Sequence, residues 1–329
     1  MESYFFIVFP KKNGVRNSNE FLTPYLSTVC TVLRDCFFIL VKLSFSCVIF
    51  ILIGNRVKYM SNIPIWIAFG KINEIEWGIT PQEWLNSHWY IRWNDIVLAE
   101  PSSTFFVFTL AIVILLLSFQ FLEKTDHQKS RFWFGLSMLA WSLSTFSAGI
   151  SYQIFSYELK CAGRTICLWT TQWEIAYLFL YVISVKLLVI AVSHCCGKDR
   201  IRKIFLGYTV AMGILYSAIL MAGVWLPFQF LISFELMVLF LVPSYLLMFL
   251  LNFWNYKKSN RIIDIRFMKA WVGMLMITIA YFAFYLSGAS GWLWQQGIWF
   301  NANDVLHLLL IAWVLYIRLK IQYLIVDSE

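Results

Sequence analysis

The chain has 329 residues, of which 60% are hydrophobic, 19% aromatic and only 13% charged, and its mean hydropathy is +0.70. Soluble domains carry about 25% charged residues, so the composition excludes a soluble globular protein and predicts an all-α, polytopic integral membrane protein. The net charge of +8 comes largely from three short loops that set membrane topology and face anionic headgroups, which argues against nucleic acid and for membrane lipids as partners.

Residues 1–34 are mixed and polar, with KKNGVRNSNE reading as a flexible leader. Residues 35–54 contain a short apolar run, 36–53, that is a candidate N-terminal transmembrane helix despite Lys42; a signal anchor and a gene start at Met60 are the competing readings. Residues 55–102 hold Trp66, Trp77, Trp84, Trp89 and Trp93 among charges. Tryptophan favours the headgroup boundary, so this segment is expected along the outer membrane surface as short amphipathic helices.

Seven apolar runs follow, each long enough to cross about 30 Å of hydrocarbon: 103–122, 133–157, 169–193, 204–225, 229–253, 270–290 and 302–324. They predict a seven-helix transmembrane bundle over 103–324, followed by a short tail at 325–329. Pro243 should kink the fifth run, and the uncharged, Trp-rich connection SGASGWLWQQGIW at 287–299 reads as an outer loop or partly embedded lid. No internal repeat or low-complexity tract is present.

The loops 123–132, 194–203 and 254–269 carry twelve Lys and Arg, whereas the opposite loops carry only Lys160 and Arg164. The positive-inside rule puts the basic loops and the C-terminus in the cytoplasm, of a plasma, inner or endoplasmic reticulum membrane. The seven cysteines make no metal pattern. Cys161 and Cys167 bracket CAGRTIC on the far side and are expected to pair if that compartment is oxidising; Cys195 and Cys196 read as inert thiols or palmitoylation sites.

Ionisable side chains inside membrane helices are costly and mark function. Five stand out: Glu174, Lys186, Glu235, Asp304 and His307. Lys186 is close enough to a helix end to snorkel towards the headgroups. The other four fall near the non-cytoplasmic ends of the third, fifth and seventh runs. Helical spacing adds stripes: Ser144, Ser147, Ser151 and Glu158; Glu174, Tyr177, Tyr181 and Ser184; Thr278, Tyr281 and Tyr285; and Asn303 or Asp304 with His307. Together these predict a polar cavity in the outer leaflet. Its candidate catalytic groups are His307, Asp304, Glu174 and Ser151, and its candidate ligand-binding groups are Ser147, Gln153, Tyr177, Glu235, Tyr281 and Asn303. His307, Asp304 and Glu174 offer the nitrogen and oxygen donors that zinc takes, so zinc is the candidate cofactor; without metal, His307 can serve as a base beside a carboxylate. There is no phosphate-cradling Gly loop, no HExxH and no GxSxG, and no mid-bilayer lysine on the last run for a retinal.

The seven runs, the Ser-bearing second run with SAGISYQ, the acidic residue opening the third in TTQWEIAY and the histidine of FNANDVLH resemble the CREST superfamily of alkaline ceramidases, adiponectin-receptor-like proteins and lipid-remodelling hydrolases. The resemblance covers 103–324. In that family Ser-x3-His, a following Asp and His-x3-His hold a catalytic zinc; here Ser147-x3-Ser151 or Gly149-x3-Gln153, then Glu174, then Asn303-x3-His307 stand in those places, so one of three zinc histidines is present. The resemblance implies a pocket for a lipid amide or ester.

Three functions therefore compete. The first is binding of a lipid or small polar ligand in the outer cavity without catalysis. The second is a CREST-like hydrolase using His307 with Asp304 or Glu174. The third is a proton-linked transporter, for which broken helices and repeats are wanted and not found.

Overall fold

The computed structural model describes residues 75–328 apart from 95, 126 and 227. These belong to the second of two units, 68–329; the leader, the candidate N-terminal helix, Met60 and Trp66 lie outside the described residues. A short helix, α1 (Pro81–Ser87), is followed by an antiparallel hairpin of β1 (Tyr90–Trp93) and β2 (Ile96–Ala99), in register Tyr90 to Ala99 and Trp93 to Ile96. The described part of the Trp-rich segment is thus one helix and one hairpin, where short helices alone were expected. The β-branched and aromatic residues of Tyr90–Trp93 and the left-handed Asn94 at the tip (φ 50°) account for the difference.

The long helices come next: α2 (Pro101–Glu123), α3 (Lys129–Ala148), which opens into a π turn (Gly149–Ile154) and the single-turn α4 (Ser156–Lys160), then α5 (Gln172–Cys196), α6 (Asp199–Trp225), α7 (Phe234–Ser259) and α8 (Ile262–Leu286). A short α9 (Ala289–Gln295) leads to α10 (Ala302–Tyr316), which runs on through a second π turn (Ile317–Ile321). Five of these, α2, α5, α6, α7 and α8, are long and apolar enough to cross a membrane. The other two expected runs are helical but do not meet both demands: serines dilute α3, and α10 leaves α-geometry after 15 residues. The sixth run begins earlier than hydropathy suggested, because α8 carries Arg266 and Lys269 past the apolar stretch and anchors its first turn through Asp264.

α5 lies at the centre: 67% of its apolar window is buried, against 22% for α6 and α8. It packs chiefly on α3, and α3 in turn on α2. The seams are stitched by hydroxyls donating to backbone carbonyls of the next helix: Ser137 to Ser184 (2.8 Å), Ser144 to Tyr177 (3.0 Å), Ser142 to Ala111 (2.8 Å) and Ser118 to Gly135 (2.8 Å). Close approach explains two glycines. A Cβ on Gly135 would stand 2.6 Å from the Leu122 side chain, and one on Gly149 2.9 Å from Val107. Below these seams, Trp141, Trp313, Phe134, Phe267 and Trp271 form an aromatic core.

At the basic end of the bundle the last residues are clamped. Asp327 accepts the backbone N–H groups of Ser130 (2.7 Å) and Lys129 (2.9 Å), capping α3. Ser328 bonds to Arg202, to the carbonyl of His194 and to that of Gly197. Residues 325–328 are therefore a latch across the starts of α3 and α6, where a simple tail was expected. Deeper in, Asp264 is fully buried between Arg261 (2.7 Å) and Asn252 (3.0 Å), whose amide oxygen receives Trp271 Nε1 (3.0 Å).

Burial of Asp327 works to raise its pKa, but the N–H groups of Ser130 and Lys129 outweigh it and hold the carboxyl below the usual carboxylate range. A group depressed in the folded state contributes stability above its unfolded pKa and loses it as pH falls through the folded value. The latch should accordingly hold at neutral pH and release in acid. The protection of the Lys129 and Ser130 amides, taken relative to the intrinsic exchange rate at each pH, should fall on acidification in the native chain and be low at all pH values in Asp327→Asn; protection in the native chain that does not change with pH would contradict this role.

Candidate functional site

The opposite end of the bundle carries a lid of chain built on backbone hydrogen bonds. Trp77 N–H donates to the Cys167 carbonyl, Cys167 N–H to Ile79, Trp169 N–H to Ile75 and Leu168 N–H to Lys160. A disulfide joins Cys161 to Cys167, and both, with Trp84 and Ala99, form a small core of their own. Glu158 accepts the Val97 N–H at 2.8 Å, tying α4 to the hairpin. Trp89 meets Trp294 and Trp299 at 5.2 and 5.4 Å, so the 287–299 connection is held against the hairpin base through its tryptophans.

Beneath this lid lies the principal polar cluster. Lys160 Nζ sits 2.6 Å from Glu174 Oε1, and both side chains are nearly inaccessible, at 7% and 3%. The ammonium also approaches the Trp169 carbonyl (3.4 Å) and the rings of Tyr152 (5.1 Å) and Trp77 (5.5 Å). Ser151 donates to the same Glu174 oxygen at 2.9 Å and shares a 2.5 Å hydrogen bond with Thr171. The π turn presents Ser151 and Gln153 inward, both buried; such widened turns are frequent at functional positions.

The local sequence explains Glu174 only in part. Thr171 and Glu174 spell a capping box, and Thr171 does cap α5 by accepting the Glu174 N–H at 3.3 Å. The carboxylate is instead engaged by Lys160 and Ser151. Two buried polar atoms on the same segments, the acceptor Gln153 Oε1 and the hydroxyl Thr170 Oγ1, have no partner among the described residues.

The expected cavity residues divide between two places. Ser151, Gln153, Glu174 and Tyr177 gather around the cluster, with Tyr177 packed on Tyr152 at 5.9 Å. Asp304 and Asn303 belong to the start of α10, between α10 and α2. There Asn301 and Asp304 form a complete capping box: Asp304 Oδ2 accepts the Asn301 N–H at 2.7 Å and Ser102 Oγ at 2.9 Å, and Asn301 Oδ1 accepts Ser103 at 3.1 Å. His307 Nδ1 lies 2.6 Å from the Asn303 carbonyl, one turn back on its own helix.

Several expectations are thereby corrected. Among the described residues no three of His, Cys, Asp and Glu group to hold a metal: Asp304 Oδ2 caps α10 while its Oδ1 is buried without a partner among the described residues, and Glu174 is engaged by Lys160. Ser147 donates to Leu143 of its own helix (2.9 Å). Glu235 is exposed in the first turn of α7. On α8, Thr278 bonds to Met274 of its own helix, and the Tyr281 ring stacks on Tyr285, so that stripe runs along a largely exposed face.

Lys186 does not snorkel. It is 2% exposed, and its ammonium donates to Ser244 Oγ (2.7 Å) and the Phe240 carbonyl (3.0 Å), with Tyr208 OH at 3.5 Å. Pro243 supplies the reason. A proline inside a helix removes one backbone donor and loosens the turn before it, and Pro243 lies between the two α7 residues, Phe240 and Ser244, that receive the ammonium.

The residue that sequence reasoning missed is Lys160. Counted as one of two cations on the far side, it read as topology; its only signal was that a segment almost free of cations keeps one beside a cysteine pair. Compared with known proteins, the chain matches no family model, no curated protein and no solved structure.

Removing one partner of a buried ion pair strands the other charge and costs roughly 3–5 kcal/mol, whereas replacing both by apolar groups is near neutral. Lys160→Met should lower thermal stability sharply, and the double variant Lys160→Met/Glu174→Leu should recover most of it. Equal stability of single and double variants would show that the pair is not coupled.

Proposed function

We propose that the chain is a seven-span membrane protein that binds a lipid headgroup or small polar ligand at Lys160, Glu174 and Ser151, in the leaflet away from the basic loops. Two observations support counting α3 and α10 among the spans. The serines that dilute α3 are buried and donate to carbonyls, so they do not face lipid; and α10 with its π turn reaches the length a bilayer requires, about 20 residues. The excess of Lys and Arg on one side supports a cytoplasmic location for that side and for residues 325–328, and the Cys161–Cys167 disulfide accords with an oxidising compartment on the other.

The observation that carries the binding reading is two unpartnered buried polar atoms, Gln153 Oε1 and Thr170 Oγ1, on the segments that hold a satisfied charge pair. A buried polar group without a partner costs about 1–3 kcal/mol, and a purely structural tie gains nothing from two of them. A ligand with hydroxyl or ammonium donors satisfies Gln153 Oε1 and Thr170 Oγ1, and an anionic oxygen on the same ligand competes with Glu174 for Lys160. A zwitterionic or hydroxylated phospholipid headgroup has both features.

A second reading is favoured by one contact. Ser151 donates to the carboxylate that also holds an ammonium, the arrangement of a nucleophile, a base and a cation. In this CREST-like form the protein is a lipid amide or ester hydrolase whose chemistry rests on Ser151, Glu174 and Lys160, with no step assigned to His307.

Native mass spectrometry of the full chain taken from membranes tests the first reading. The native protein should retain a lipid or polar small molecule that the stable Lys160→Met/Glu174→Leu variant loses; identical adducts on both would sink it. If Ser151→Ala keeps the adduct but abolishes turnover of an ester lipid, the hydrolase reading takes its place.

A further inference from the structure

A second concave site lies at the other end of the bundle and owes nothing to the Lys160 cluster. A cleft of about 410 Å³ opens between the last turn of α2, the first turn of α3 and the π turn that closes α10, within the size range of ligand pockets, about 300–1,000 Å³. Lys124, Arg131 and Arg318 line it, with Gln120 and Gln322 between them and Glu123 as the single carboxylate.

Three features make this more than a basic surface. Arg131 is fixed in place, its Nε donating to the Ile325 carbonyl (2.8 Å) and a guanidinium N–H to that of Lys124 (3.0 Å). Arg318 is steadied by Gln322 Oε1 at 2.8 Å. Gln120 Oε1 is buried and has no donor among the described residues. Guanidinium groups held in a fixed orientation suit the oxygens of a phosphate better than a carboxamide, and the orphaned Gln120 oxygen calls for a hydroxyl beside that phosphate. The cleft stands where apolar helices end, the depth at which basic pockets between membrane helices meet lipid headgroups.

We propose that this cleft is a binding site for a phosphate ester carrying a neighbouring hydroxyl. Two sources share that chemistry: a polyol phospholipid headgroup and a free polyol phosphate. Lys124 and Arg318 hold the phosphate oxygens from α2 and from the turn after α10, Arg131 shapes the wall between them, and Gln120 accepts from the hydroxyl. Because Ile325 and Asp327 belong to one short latch, the wall that Arg131 forms depends on the closed C-terminus.

The test uses the full chain in neutral detergent, titrated with dioctanoyl phosphatidylglycerol, dioctanoyl phosphatidylcholine or glycerol 3-phosphate and followed by native mass spectrometry. Phosphatidylglycerol should bind one to one, and Lys124→Gln and Arg318→Gln should each weaken it about tenfold, the loss of one charge-assisted hydrogen bond. The Lys124 side chain makes no hydrogen bond or ion pair among the described residues, and the carbonyl that accepts from Arg131 belongs to the backbone, so Lys124→Gln keeps the fold, which an unchanged melting temperature verifies. Lys257→Gln/Lys258→Gln, equally basic but outside the cleft, should bind as the native chain does. Glycerol 3-phosphate binding as tightly as the lipid assigns the site to a soluble ester, and binding of the lipid alone assigns it to a headgroup. Equal affinity for phosphatidylcholine, an equal loss in the Lys257/Lys258 variant, full affinity in Lys124→Gln, or no binding of either phosphate ester overturns the proposal.

Discussion

The contact between Lys160 and Glu174 holds together three pieces of chain that otherwise have little reason to meet. Glu174 starts the central helix, Lys160 ends the short α4 beyond the π turn, and Ser151 sits inside that turn. A charge pair shielded from water is strong only when its geometry is good and its other lone pairs are satisfied. That requirement fixes the path of the chain from α3 to α5, and with it the disulfide loop and the strand-like segment at 75–79 that pairs with it. The lid is thus organised from beneath, by one ion pair, as much as by its own small core around Trp84.

Inside the bundle a different economy applies. Hydrophobicity gives little preference for one apolar helix over another when lipid surrounds both. The α2–α3–α5 seams instead use serine hydroxyls aimed at carbonyls of the neighbouring helix, with Gly135 and Gly149 letting the backbones come close. Each such bond is small, but together they set which faces meet. They also account for the serine stripe of α3, whose regular spacing suggested a cavity wall and which is mostly a joint between helices.

The sequence was a good guide to where helices run, because long apolar stretches have few alternatives in a membrane-like composition. It was a poorer guide to which polar residues meet. Glu174 stood out because a carboxylate in an apolar helix is conspicuous; Lys160 did not, because its partner lies across a loop and nothing in local spacing links them. Asp304 and His307 were conspicuous for the same reason as Glu174, yet Asn301 and Asp304 already spelled a helix cap, which by itself accounts for one of the two Asp304 carboxylate oxygens. Lys186 was judged by distance from a helix end, a one-helix argument, whereas its acceptors stand on two other helices. The hairpin escaped notice because tryptophans among charges fit an interfacial helix and a twisted ribbon equally well.

The seat of Lys186 also constrains how the molecule is made. Its ammonium is carried by α5, but its acceptors are Tyr208 on α6 and Phe240 and Ser244 on α7. A chain inserted in order brings α5 to the bilayer before either partner exists, with a bare cation near the middle of the span. The Lys186 ammonium has no acceptor on α5 itself among the described residues; α6 and α7 supply all three. The seat of this one cation is thus complete only when the three helices from Gln172 to Ser259 stand together.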